Sequence, residues 1–144
     1  MLKAPQADAD PKLGDQRLIS LDNDDEGAAH LFQLMRDLGV DRQRCVPWNI
    51  CPFPLPPSRF DPSPEEFERS RPYFDKFMDL IEAPEVVLVL GAAARRGWQQ
   101  HDFVDLARGC RVVYGPSPSP PGIDNRGALN RLRDAFVDAF EIEI

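Results

Sequence analysis

The sequence predicts an α/β fold of three layers, in which helices cover both faces of a small, mainly parallel sheet. Apolar, strand-like runs at 45–50, 86–90 and 111–114 alternate with helical patterns along the chain. The middle run, VVLVL, is apolar at every position, which is typical of a strand that is buried on both faces. This alternation predicts right-handed crossovers and a site beyond the carboxyl ends of the strands.

Length and composition predict one domain over 1–144, in which residues 1–17 are polar and irregular. The net charge of −7 disfavours binding of nucleic acid through bulk electrostatics, although it leaves room for a local basic face. No apolar run reaches the length of a membrane span, and no secretory signal is visible. Three irregularly spaced cysteines indicate reduced thiols, so we expect a cytoplasmic protein with no disulfide framework and no metal site.

Four helical patterns separate or flank the predicted strands. The first covers 26–38, where apolar residues recur at helical spacing. The second begins with the capping-box pair Ser63 and Glu66. A third helix starts soon after Gly91, and a last one is expected from about 125 to 140.

Three loops should converge where the predicted strands end, at 49–53, 91–93 and 115–120. Asn49 carries one acceptor and two donors and could read the edge of a planar heterocycle, or it could bind a neighbouring loop. His30, within the first helix, is expected to be a surface residue and not a ligand.

Cysteine and arginine are two further candidates for chemistry-bearing groups. Cys51 could act as a nucleophile in a small-molecule α/β enzyme, but a half-buried structural thiol is the favoured interpretation. Arg95 and Arg96 could contact phosphate or form a solvated helix face. The chain has no glycine fingerprint for phosphate and no serine elbow, so nothing specific supports the small-molecule enzyme.

Three motifs together make the chain resemble the uracil-DNA glycosylase superfamily. WNICPF at 48–53 is similar to the family's strand-end motif, and VVLVLGAAARRGW at 86–98 is similar to its central strand and turn. PSPSP at 116–120 falls where the family has a His-Pro-Ser-Pro loop. The segment at 20–42 also resembles a bacterial branch of the family.

The resemblance implies excision of uracil from DNA by hydrolysis of the N-glycosidic bond, as part of base excision repair. It implies that Asn49 binds the uracil edge and that the serine-proline loop presses on the DNA backbone. The substrate-binding residues that it implies are Asn49, Pro52, Phe53, Gly91, Pro118, Ser119 and Pro120. No cofactor is expected, because the iron–sulfur cluster of some relatives needs four cysteines and this chain has three.

The chain departs from the family at both positions that would carry catalysis. Lys3 stands in the nearest match to the water-positioning motif, and the strand expected before it is either missing or reduced to Met1 and Leu2. Ser117 stands where the loop's histidine would stabilise charge on the departing base. We therefore expect weak or absent excision, and the alternative is an inactive glycosylase fold that serves as a binding module.

Overall fold

A computed structural model of the chain describes residues 26–58 and 61–143. Within these ranges the elements are α1 (Glu26–Leu38), α2 (Pro64–Leu80), β1 (Val86–Leu90), α3 (Ala92–Gln100), β2 (Arg111–Gly115) and α4 (Ala128–Ala139), with 3-10 turns at Arg42–Arg44, Phe103–Leu106 and Gly122–Asp124. The predictions for Lys3, for residues 1–17 and for a shortened first strand lie outside the described residues.

The two strands form a parallel pair whose register runs from Val86 opposite Arg111 to Leu90 opposite Gly115. Alternate residues of β1 face opposite layers. Leu88 and Leu90 pack against a cluster from α1 and α4, whereas Val89 belongs to a cluster from α2, α3 and the turn that follows α3. The predicted three-layer α/β/α class with a small parallel sheet is therefore confirmed.

The first two helices begin where the sequence predicts. The structure gives α1 the predicted bounds of Glu26 and Leu38. At the start of α2, the Glu66 N–H donates to Ser63 Oγ at 3.2 Å, and the Ser63 N–H donates to Glu66 Oε1 at 2.8 Å. This reciprocal pair satisfies two amides that the helix cannot, which contributes about 1 kcal/mol.

The prediction of a strand at 45–50 is wrong, because the segment has no ladder partner among the described residues. Pro47 has no N–H to donate to a ladder. The alternate residues Val46 and Trp48 are 44% and 37% exposed, so they do not form one buried strand face. Helices anchor the segment instead, since Trp48 stacks on Phe77 of α2 with ring centroids 4.4 Å apart.

The last helix starts at Ala128, later than predicted. A 3-10 turn at Gly122–Asp124 comes first, and Gly127 then adopts a left-handed conformation with φ of 77° at the helix N-cap. A residue in that region cannot continue a right-handed helix. The composition around 124–127 does not distinguish a separate turn from the first turn of the helix.

Candidate functional site

The carboxyl ends of β1 and β2 lie side by side. The Gly91 N–H donates to the Gly115 carbonyl oxygen at 2.9 Å, one residue beyond the end of β1. Gly91 has φ of 98°, a conformation that favours glycine. Residues 115–122, hereafter the proline-serine loop, begin at the end of β2 and lead away from the sheet.

Ser117 of the proline-serine loop packs between two glycines. A Cβ built on Gly91 would lie 3.3 Å from Ser117 Cβ, and one built on Gly122 would lie 3.0 Å from it. Both distances are tighter than ordinary van der Waals contact, so neither glycine can gain a methyl group without movement of the loop. The structure thus brings Gly91 and Ser117, two of the predicted site residues, into direct contact.

Hydrogen bonds within the proline-serine loop fix its serines. The Ser119 N–H donates to Ser117 Oγ at 3.1 Å, and the Ile123 N–H donates to the Ser119 carbonyl at 3.1 Å. The Ser117 hydroxyl therefore acts as an acceptor here, and no described residue accepts its proton. Pro120 is exposed at the surface of the loop and is joined to Pro121 by a cis peptide bond.

His30 reaches the proline-serine loop from α1. Its Nδ1 lies 2.7 Å from the carbonyl oxygen of Pro118, 88 positions away in sequence. The prediction of a surface residue missed this contact, since the side chain is half-buried. Its spacing of four from Leu34, on the apolar face of α1, is the one signal that could have indicated it.

Asn49 lies on a different part of the chain, residues 45–53, hereafter the 45–53 segment. It is exposed, and its carboxamide makes no hydrogen bond to another described residue. Its neighbours are both anchored, because Trp48 stacks on Phe77 and Ile50 packs against Gly97 of α3. The Asn49 carboxamide, which is available to a ligand, thus lies between two side chains that packing holds in place.

The end of the 45–53 segment packs on α2. Pro52 is exposed. The Phe53 ring meets Tyr73 edge-on with centroids 5.1 Å apart, and the Arg69 guanidinium lies 4.5 Å above its centre. Arg69 therefore covers part of the face that Phe53 could offer a base. Cys51 is buried and its thiol donates to the Phe53 carbonyl at 3.7 Å, which agrees with a structural role.

Arginine supplies positive charge at the start of α3. Arg95 is exposed, its guanidinium lies 4.7 Å from the centre of the Tyr114 ring, and its N–H donates to the Gly91 carbonyl. Arg96 instead pairs with Asp61 at 3.2 Å. Arg95 is thus the better placed of the two to meet a phosphate beside the strand ends.

Two of the described thiols, those of Cys45 and Cys110, are not activated. Burial raises the pKa of Cys45 to about 11, and it also raises the pKa of Cys110. Thiols shifted in this direction stay protonated near neutrality and are poor nucleophiles and metal ligands. No group of three or more His, Cys, Asp or Glu side chains suited to a metal ion occurs in the part of the chain that the structure describes.

A small cavity of about 90 Å³ lies at the opposite end of the sheet, beside Val86 and Arg111. Arg111 already binds Asp138 at 2.7 Å there, and charges of both signs line the rest of the wall. This cavity is at the amino ends of the strands, so it is not the strand-end site.

Comparison with known protein families gives one match. The model described as the uracil DNA glycosylase superfamily matches residues 24–141, which is more than half of the chain. No curated protein and no solved structure matched the chain significantly. Among the helices of the described residues, none has both the length and the apolar character needed to cross a bilayer.

Proposed function

The chain belongs to the uracil-DNA glycosylase superfamily, and from this premise we propose that it binds uracil-containing DNA at the carboxyl ends of its strands and excises uracil weakly. The observation that carries the proposal is the contact of Ser117 with Gly91, which seats the proline-serine loop at the strand ends. In such enzymes the damaged base leaves the stack and enters a pocket before the chemistry begins.

The reaction would break the bond between the base nitrogen and the sugar carbon while water attacks that carbon, and the proton that the water loses would pass through solvent to the departing base. The base leaves with the electron pair of the bond, so a donor near it lowers the barrier. In our proposal the Asn49 carboxamide binds the uracil edge, and the Ser117 hydroxyl is the donor to the departing base. Lys3, outside the described residues, stands where the family positions the water.

The remaining residues would bind DNA and shape the site. Pro118, Ser119 and Pro120 would press on the DNA backbone, and Gly91 would shape the site because Ser117 occupies the space that a side chain on Gly91 would fill. Pro52 and Phe53 would complete the wall next to Asn49. Arg95 supports phosphate binding because it is exposed beside the strand ends.

A second candidate is a protein that binds such DNA without cleaving it. The Ser117 hydroxyl favours this candidate, because it already accepts the Ser119 N–H and is a weaker electrostatic partner than an imidazole. Both candidates share the DNA partner. For the cellular setting we propose a DNA-repair role in the cytoplasm, which is supported by three free cysteines.

Cleavage and binding assays on uracil-containing oligonucleotides, single- and double-stranded, test the proposal. Asn49→Ala should weaken the preference for uracil-containing over thymine-containing DNA by about tenfold, since it removes hydrogen bonds worth roughly 1 kcal/mol each. Asn130→Ala, at an exposed position of α4, is the matched control and should change nothing.

Two outcomes separate or reject the candidates. Alkali-labile breaks at uracil identify the enzyme, whereas salt-dependent binding without breaks identifies the binding protein. Vigorous excision that Asn49→Ala leaves intact would contradict the assignment of the site, and absence of any preference for uracil would contradict the proposed function.

A further inference from the structure

His30 lies on the face of α1 that packs against the chain just beyond the proline-serine loop. Leu34, one turn later on the same face, shares a buried cluster with Ile123. Ile123 directly follows Gly122, the last residue of the loop. The packing of α1 therefore brings the half-buried His30 side chain next to the loop.

The contact between His30 and Pro118 has only one chemical interpretation. A peptide carbonyl oxygen only accepts hydrogen bonds, so the imidazole Nδ1, at 2.7 Å, must carry the proton and donate it. In the neutral ring this leaves Nε2 without a proton. The bond thus fixes the tautomer and the orientation of the ring, as well as the position of the Pro118 carbonyl.

The sequence of the loop makes an outside anchor valuable. Four prolines, at 116, 118, 120 and 121, remove four backbone donors from it. The bonds of Ser119 to Ser117 and of Ile123 to Ser119 join the loop only to itself and to the residue after it. The His30 bond instead ties the loop to a helix, α1.

We propose that His30 is a positioning residue, which holds the proline-serine loop against Gly91 through the Pro118 carbonyl. Ser117 then keeps its place between Gly91 and Gly122, and the loop presents its prolines to a ligand in one arrangement. The link to DNA rests on the proposed function. The anchoring of the loop by α1 stands on the contacts of the protein itself.

The first measurement is the tautomer of His30 in the free protein. Long-range nitrogen–proton NMR spectra at alkaline pH should find the Nδ1–H form for His30, resolved from the signals of His101, the other histidine. An Nε2–H form at His30 would mean that the bond to Pro118 does not exist, and it would overturn the proposal.

The second measurement is amide hydrogen exchange in variants of His30. His30→Leu removes the donor, and exchange at Ser119 and Ile123 should become about fivefold faster, as expected for loss of one hydrogen bond. His30→Asn keeps a donor near the position of Nδ1 and should restore slow exchange. His101→Phe keeps a ring against Phe67 and is the control, with no change expected in the loop.

The same variants are then titrated with uracil-containing DNA. Each titration is done at a temperature at which urea unfolding shows that the variant and the wild-type protein are folded to the same extent. His30→Leu should bind about fivefold more weakly and His30→Asn nearly normally. Unchanged loop exchange in His30→Leu would overturn the anchoring, and faster exchange with unchanged binding would overturn the role of the anchored loop in DNA binding. If the wild-type protein does not bind DNA, the proposed function fails, while the tautomer and the exchange rates still decide whether His30 anchors the loop.

Discussion

The proline-serine loop and the 45–53 segment are held in place by different kinds of contact. In the loop, Ser117 fits between glycines that leave no space for a methyl group, and the Ser119 amide donates to the Ser117 hydroxyl. In the segment, anchoring comes from side-chain packing, such as the Trp48 ring on Phe77. Asn49 itself is exposed and makes no hydrogen bond to another described residue.

This difference indicates what each region can tolerate. The position of the proline-serine loop depends on backbone space, so a single added methyl group should move it. The position of Asn49 depends on how its neighbours pack on α2 and α3, and the amide is free to adjust to a ligand. The following four predictions test this contrast.

The largest effect is expected from Ser117→His, which would add an imidazole to the loop. We expect any residual excision of uracil to rise by up to about 100-fold, the lower range for one preorganised donor to a developing anion. Single-turnover cleavage measures this rate. Ser119→His, on the same loop, is the control and should give no gain; an equal gain from both would contradict a specific role for position 117.

Gly97→Ala should be the most destabilising change to the anchoring of the 45–53 segment. The new methyl group would collide with Ile50 Cδ1 and lie 2.9 Å from Phe67 Cε1. Overpacking of this kind costs about 1–3 kcal/mol of unfolding free energy, measured by urea denaturation. Ile50→Val removes Cδ1 and should recover part of the loss; additive effects of the two changes would show that the atoms do not meet.

Gly91→Ala compared with Gly39→Ala separates backbone strain from displacement of the loop. Both glycines have positive φ, 98° and 69°, so each substitution should cost stability: about 1–2 kcal/mol at Gly39, and about 1–3 kcal/mol at Gly91, whose ψ of 163° puts it in a region that is essentially confined to glycine. Only at Gly91 would the methyl group meet Ser117, because nothing lies within 4 Å at Gly39. Binding of uracil-containing DNA should therefore weaken in Gly91→Ala alone, and equal weakening in both would count against the loop as a binding element.

The smallest effect is a pH dependence from Cys45, at the start of the 45–53 segment. Burial raises its pKa from 9.0 to about 11, so between these pH values the native state keeps a proton that the unfolded chain has lost. The contribution of the Cys45 thiol to the free energy of unfolding is therefore fully present below pH 9 and is lost as the pH rises to 11. We expect a loss of about 1 kcal/mol, reduced because the thiol is partly hydrated. Urea unfolding of Cys45→Ala should show a shallower decline; superimposable pH profiles would contradict it.

Much of the fold followed from local sequence signals. Residues 26–38, the cap at Ser63 and the apolar run at 86–90 each carry their structure in neighbouring residues, through periodicity, capping and burial on both faces. The 45–50 prediction failed because its apolar residues are satisfied by distant helices and not by a ladder. Local patterns cannot distinguish these two kinds of partner.

The contacts of the candidate site were likewise only partly predictable from the sequence. The contact between Gly91 and Ser117 was predictable, because parallel strands end at the same edge of the sheet. The bond from His30 to Pro118 was not, since it joins residues 88 positions apart and depends on the docking of α1. Whether Asn49 serves the same site stays a prediction, to be tested by its substitution.

The sorting of β1 side chains between two layers has a thermodynamic consequence for ligand binding. Ile123, next to the proline-serine loop, packs with α1 and α4, whereas Ile50, next to Asn49, packs with α2 and α3. A ligand held by both regions would therefore bind only when both layers are docked on the sheet. By linkage such a ligand would stabilise only the state in which both layers are docked, by about 2.7 kcal/mol at a ligand concentration one hundred times its Kd. A partly folded chain that had docked one layer would gain none of this stabilisation.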